Sequence, residues 1–392
     1  MRKISRTNLL ITVFLPVLLS IFSFTSAQNM QQAREDIDFL TSKKCWGRGY
    51  TKNGMNKARN YLTARLKKEG LEPLNGTHFF QPLTSSINTF PNKMNVKLNG
   101  KTLTPGVDYI IGEESCSIRG NFLLQKKDSV TWIAKSKEGR SVLLVRLEKK
   151  LTWSVSVKQE PYTVLHLLKD SLKSEPSQIE LEVDANFQEN FSMDNICAFV
   201  RGKTFPDSFI VFTAHYDHLG GMGKSTYFPG ANDNASGVSM LLQLAEHYQK
   251  NPPPFSVAFV FFCGEEAGLL GSRHYTLFPV FPLQKIKFLI NLDLLGTGED
   301  GITVVNATVF PSQFDVLKKL NQQQSLLTQI KPRGKAANSD HYWFSEMGVP
   351  CFFIYTLGGI KAYHDVFDRP STLPLTKFRQ VFSLLIEFQK DI

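Results

Sequence analysis

Seven side chains in this 392-residue sequence stand where they could do chemistry. His215 and Asp217 follow the apolar run Phe209–Thr213, inside Ala214-His215-Tyr216-Asp217-His218. Glu265 and Glu266 follow the run Val257–Phe262, and Asp293 ends the run Ile286–Leu292. His364 comes after Cys351–Tyr355 and a Gly358-Gly359 turn, and Asp233 lies in the polar loop Gly230–Gly237 ahead of a helical pattern. Each alone has a plain structural reading: a hydrogen-bonded histidine, a helix cap, a solvated acidic turn. Together, imidazoles and carboxylates in this number form the donor inventory of a pair of divalent ions of the zinc type.

The local spacings suit that chemistry. His215 and Asp217 are two apart on an extended segment, so their side chains share a face. His215 can bind a metal while Asp217 holds the imidazole or neighbouring ligands in place. Glu265 and Glu266 are consecutive, so their side chains diverge; one can bind metal and the other can reach the attacking water as general base. Asp233 has two carboxylate oxygens and could bridge two ions, which in such sites lie roughly 3.5–4 Å apart.

These residues need a scaffold that brings distant segments together, and the hydrophobic pattern supplies one. Helices are expected over Gln31–Ser42, Met55–Lys68, Gly237–Tyr248, Ser312–Gln323, Asp340–Met347 and Thr376–Gln389. Short apolar strands are expected at Ile196–Val200, Phe209–Thr213, Val257–Phe262, Ile286–Leu292 and Cys351–Tyr355. Buried strands alternating with helices imply an α/β fold with a mostly parallel mixed sheet flanked by helices on both faces. Ligands then sit beyond the carboxyl ends of the strands, where the candidate residues fall. The stretch at about 95–190 reads instead as a β-rich insert. Within it, Met94–Leu98 meets an Asn99-Gly100 hairpin turn, Ser141–Leu147 and Ile179–Val183 read as strands, and a helix is expected near Thr163–Leu172.

Composition sets the outer limits. The chain is 42% hydrophobic and 20% charged, which excludes a collagen-like, low-complexity or disordered chain. Arg2, Lys3 and Arg6 precede an apolar run from Leu9 to Phe24, and Thr25-Ser26-Ala27 closes it, so residues 1–27 read as a signal peptide. The expected mature chain, 28–392, is exported, periplasmic or secreted, with no stable membrane anchor. Five cysteines without a C-x-x-C pair do not make a disulfide scaffold, although Cys45 and Cys116 could pair. Sequons occur at Asn75, Asn190, Asn234 and Asn306. The formal charge of +10 hints at an anionic partner, but removing the leader leaves 42 basic against 35 acidic residues. Lys67-Lys68, Lys126-Lys127 and Lys149-Lys150 lack the aromatic interleaving of a nucleic-acid platform, so no nucleic-acid partner is expected.

Five motifs in order, AHYDHLG, PGANDNASGV, FFCGEEAGLLGS, NLDLLG and YHDVFDRPSTL, resemble those of the M28 family of zinc peptidases. The earlier stretch GRGYTKNGMNKARNYLTARLKKEGLEPLNG is similar to the family's leading helices, which leaves only the insert unmatched. The resemblance implies a zinc-dependent exopeptidase fold, a peptide substrate and two Zn2+ per chain. It implies that His215 and Asp293 bind one zinc, that Glu266 and His364 bind the other, and that Asp233 bridges them. Glu265 would be the general base and Asp217 a support for the ligands; Asp340 and His341 are further candidates near the substrate. It also implies a strained peptide bond between Asp233 and Asn234. One departure is Asp365-Val366-Phe367-Asp368 after His364, where many members have Thr-Pro or Ser-Pro. The expected activity is that of an aminopeptidase, with a carboxypeptidase left open. FFCGEE, GSRHY and SDHYWFSEMGVP also resemble glutaminyl cyclases, which would mean a single-zinc acyltransferase, and a non-catalytic binding module of the same fold is the third reading. Oligomeric state is unknown.

Overall fold

The computed structural model describes residues 28–136 and 139–392, so the expected signal peptide lies outside the described residues. A nine-stranded mixed sheet forms the frame. Its strands in chain order are β1 (Glu72–Pro73), β2 (Phe80–Thr89), β3 (Asn186–Val200), β4 (Phe205–His215), β5 (Phe255–Phe262), β6 (Ile286–Leu292), β7 (Ile302–Val305), β8 (Ile330–Pro332) and β9 (Cys351–Thr356). Their spatial order is β1-β3-β5-β4-β6-β9-β7-β8, with β2 beside β3. The central strands β5, β4, β6 and β9 are parallel, whereas β3 and β7 join that core antiparallel.

Alternation along the central strands explains why they read as continuous apolar runs. In β5, Val257, Phe259 and Phe261 enter one core, while Ala258, Val260 and Phe262 enter another on the opposite face. A strand covered on both faces has no polar side to show. Helices α1 (Met30–Thr41), α2 (Gly54–Lys68), α3 (Gly237–Lys250), α5 (Pro311–Gln324) and α7 (Phe378–Lys390) contribute to the first core. Helices α4 (Leu270–Leu277) and α6 (His341–Glu346) place Tyr275 and Phe344 in the second.

Between β2 and β3 the chain builds a five-stranded and a four-stranded sheet around a separate core. The hairpin at Asn99-Gly100 has positive φ at both turn residues, 48° and 81°, as a two-residue turn requires. The expected helix near Thr163–Leu172 is instead a strand, Thr163–Leu168, pairing parallel with Ser141–Glu148. The reason is period: Thr163, Leu165 and Leu167 are buried and the residues between are only partly so, a repeat of two. A short apolar run satisfies helix and strand templates alike, and the neighbouring strand decides. Trp132, Val145 and Leu165 fill this insert's core, but so do Leu219, Met222, Phe228 and Val366 from the main body. The insert therefore shares packing with the loops that lead to Asp233 and His364.

All five cysteines are unpaired, so Cys45 and Cys116 do not form a bridge. Asn234 and Asn306 are fully buried, which removes two of the sequons as surface sites. Among the described residues no helix is long and apolar enough to cross a membrane.

Candidate metal centre

Parallel register brings the strand ends to one place. His215 pairs with Phe262 of β5, and Thr213 pairs with Asn291 of β6. Neighbouring strands lie ~4.8 Å apart, so His215, the Glu265-Glu266 turn and Asp293 emerge side by side. Asp233 reaches the same crevice from the irregular helical segment Ala231–Ser236 that precedes α3. The Asp233–Asn234 peptide bond is cis.

The polar residues around Asp233 are consumed in holding that segment. Asn234 donates to the Leu292 carbonyl at 2.9 Å and accepts from the Gly237 amide at 3.0 Å. The Ser236 hydroxyl accepts from the Leu295 amide, and Asn232 accepts from the Gly296 amide. Asp368 accepts from the amides of Asn232 and Asp233 at 2.8 and 3.0 Å. Arg48, fully buried, donates to the carbonyls of Pro229, Gly230 and Asp233. Gly230, at φ 63°, leaves room for an imidazole: a Cβ there would stand 2.4 Å from Cδ2 of His218.

The donor atoms interleave. His215 Nε2 is 3.3 Å from Asp233 Oδ1 and 3.5 Å from Asp293 Oδ2. His364 Nε2 is 3.0 Å from the other Asp233 oxygen, Oδ2, and 3.1 Å from Glu266 Oε2. Asp233 thus lies between the two histidines with one oxygen toward each. Among the described residues, three groups offer ligand atoms within 4.8 Å of one another: His215-Asp233-Asp293, His215-Glu265-Glu266 and His218-Asp233-Glu266.

Electrostatics argue for a cation among them. Asp217, Asp233, Asp293 and Asp340 are buried, and the Glu266 side chain is 3% exposed. Carboxylates packed this densely in a low-dielectric site need compensating positive charge. Burial opposes charging His364, yet the Glu266 and Asp233 carboxylates hold its proton and push its pKa up to about 11. Burial works against ionising Glu266, but His364 and His218 bring its pKa down to about 2. Desolvation, with Glu266, Asp340 and Asp293 close by, pushes Glu265 well above the usual carboxylate range. Asp293 Oδ1 and His218 Nε2 are buried without a partner, and a donor set of this chemistry fits divalent cations.

Of the two supports considered for Asp217, the imidazole or the neighbouring ligands, its carboxylate contacts the second. Asp217 does not hold His215 through its carboxylate, which is 3.9 Å away; its backbone carbonyl, 3.2 Å from His215 Nδ1, does. The carboxylate instead accepts from the amides of Glu265 and Glu266 and from the Tyr50 hydroxyl at 2.8 Å. Asp340 is buried beside the cluster; desolvation, opposed by His215 and aided by Asp217 and Asp293, pushes its pKa up to about 7. His341 packs against Phe353 at 5.2 Å, and burial brings its pKa down to about 4. Ser339, two residues earlier, reaches the cluster, donating to Asp293 at 3.4 Å and accepting from Asn291 at 2.8 Å.

His218 was not among the expected site residues, although it stands in the AHYDHLG motif. Its Nδ1 is 2.6 Å from Glu266 Oε1, which leaves Oε2 facing His364. Arg48, Tyr50 and Asp368 were also missed, and the first two lie in the GRGY stretch whose only sequence signal is resemblance.

A crevice of histidines and carboxylates at the carboxyl edge of a parallel sheet defines a class, the metal-dependent hydrolases of the α/β type. Within that class, residues 195–389 match the model for Peptidase family M28, and the chain belongs to that family. The family implies zinc as the metal. The chain is 26% identical over 249 residues to aminopeptidase YwaD of Bacillus subtilis (strain 168), covering 59% of this chain and 52% of that protein. It spans about half, or less, of the length of the curated relatives it matches. Its fold matches an aminopeptidase from Aneurinibacillus sp. strain AM-1 with a TM-score of 0.65 at 17% identity, covering 93% of this chain and 94% of that one. It also matches the Porphyromonas gingivalis glutaminyl cyclase with a TM-score of 0.55 at 15% identity, covering 93% and 98%.

Proposed function

We propose that the protein is a zinc exopeptidase, specifically an aminopeptidase, that binds two zinc ions and hydrolyses the first peptide bond of its substrate. The observation that carries this reading is the position of Asp233, with one carboxylate oxygen toward His215 and the other toward His364. His215 and Asp293 would hold one ion, Glu266 and His364 the other, and Asp233 both. His218 would steady Glu266 by engaging its other oxygen.

Bound zinc would supply Lewis acidity toward water and the scissile carbonyl. Glu265 takes the proton of the attacking water and passes it to the leaving amine. Its burial and its carboxylate neighbours raise its proton affinity, which suits a group that must accept and then release a proton. Asp217 fixes the backbone from which Glu265 projects, and Tyr50 fixes Asp217. Export of the mature chain from residue 28 is part of the same proposal.

The test is a zinc count on the purified protein with assays on amino-acyl anilides and on Gln-initiated peptides. Two zinc ions per chain with anilide hydrolysis are expected. One zinc with pyroglutamate formation would replace this reading by a cyclase, and cleavage from the carboxyl end would replace it by a carboxypeptidase. Inactivity on every peptide, with an unaltered phenotype for Glu265→Gln, would indicate a binding module.

A further inference from the structure

We propose that the insert is a working part of the metal centre: its Lys150–Trp153 edge clamps the loop that carries His364 and sets the orientation of that ring. The proposal rests on His364 being a zinc ligand.

His364 is held by the insert from two directions. Its Nδ1 lies 2.9 Å from the Trp153 carbonyl oxygen, and the Trp153 amide donates to the His364 carbonyl, also at 2.9 Å. A carbonyl oxygen can only accept, so Nδ1 carries the hydrogen and Nε2 is left to face Asp233 and Glu266. A backbone acceptor of this kind fixes tautomer and ring plane in metal-binding histidines. Here that acceptor comes from a distant upstream segment of the chain, in a different structural unit.

The backbone of His364 needs such a hold. Its φ is 52°, in the left-handed region that few residues other than glycine occupy. Lys150 adds side-chain contacts to the same loop: Nζ donates to the carbonyls of Lys361 at 2.8 Å and Tyr363 at 3.3 Å, and it is 3.4 Å from Asp365 Oδ2. Tyr363 then stacks on the His364 ring at 4.0 Å.

The clamp is itself anchored. Trp153 Nε1 donates to the Ile111 carbonyl at 2.8 Å, and its ring stacks at 4.7 Å on Phe228, five residues before Asp233. Val366 sits in the insert's core, and Gly106 of the insert approaches it so closely that a Cβ there would lie 2.7 Å from Val366 Cγ1. A displacement of the insert would therefore be felt at His364 before it reached the strand-end ligands.

The experiment uses the full chain with Lys150→Met, which keeps length and removes the three polar contacts of a half-exposed side chain, and Lys150→Arg as the conservative variant. Zinc affinity is measured at equilibrium by chelator competition, without substrate. Lys150→Met is expected to weaken one of the two zinc sites about 10-fold and leave the other unchanged, with Lys150→Arg restoring most of the loss. The weakened site should be the one that His364→Ala removes. Unchanged affinity at both sites, or equal weakening of both, would overturn the proposal. Hydrogen exchange of metal-free protein supplies a second readout. Lys150→Met should speed exchange across 357–368 and not across 209–217, and no local change there would also overturn it. A wild-type chain that binds no zinc would defeat the metal reading itself, while the exchange measurement on the same protein still decides whether the clamp exists.

Discussion

The two ends of the candidate metal centre are held by different means. His215 and Asp293 stand at the ends of adjacent parallel strands, and backbone register places them within 3.5 Å of each other. Glu266 and His364 stand on a turn and a loop, where His218, Asp368 and the insert must supply the order that register supplies to the first pair. A ladder of backbone hydrogen bonds is insensitive to side-chain changes, whereas a loop held by side chains and carbonyls can be loosened one contact at a time. The strand end should therefore be the sturdier of the two.

Metal removal tests this contrast with the largest effect. A chelator is expected to abolish hydrolysis, and added zinc to restore it, with zinc lost in two phases and the loop-held ion leaving first. Spectroscopic zinc release against residual activity reads this directly, and full activity after demetallation would end the metal reading. Next in size, Glu265→Gln should lower kcat by about 10²–10⁴-fold with both zinc ions retained, because it removes the proton acceptor and no ligand. Loss of zinc from that variant would instead make Glu265 a ligand.

A smaller effect is expected from Tyr50→Phe, which leaves one oxygen of the buried Asp217 carboxylate without its hydroxyl donor. The cost should be about 1–3 kcal/mol of stability, seen in chemical denaturation, with a fall in kcat through the Glu265 backbone. An unchanged midpoint would mean that Asp217 is satisfied by the two amides alone. Smallest of all, Lys93→Gln on the outer face of the insert breaks an ion pair with Glu182 whose lysine is 49% exposed. Stability should move by less than about 1 kcal/mol and zinc affinity not at all. A change in zinc affinity there would mean that the whole insert, not only its Lys150–Trp153 edge, bears on the site.

Legibility in the sequence follows the same division. The central strands announced themselves because short apolar runs between polar turns, repeated along the chain, are what a sheet covered on both faces demands, and the candidate residues at their ends came with them. The strand at Thr163–Leu168 was misread as a helix because so short a run cannot separate the two periods without knowledge of a partner strand. Arg48 was not singled out, yet it is fully buried beneath the Asp233 segment. Its partners are backbone carbonyls, which leave no mark in a sequence. Trp153 escaped for the same reason, since it meets His364 through main-chain atoms. His218 and Asp368 were visible inside the motifs, but nothing local distinguishes a residue that steadies a ligand from one that is merely near it.

By itself the sequence determined the kinds of donor present, their placement after apolar strands and the helical or extended character of most segments, since all of these rest on composition and period. Tertiary structure alone decided which oxygen of Asp233 faces which histidine, that His341 packs against Phe353, and that the β-rich insert packs onto the His364 loop. Those outcomes depend on contacts between segments far apart in the chain and on backbone groups common to every residue, and neither is encoded in local pattern.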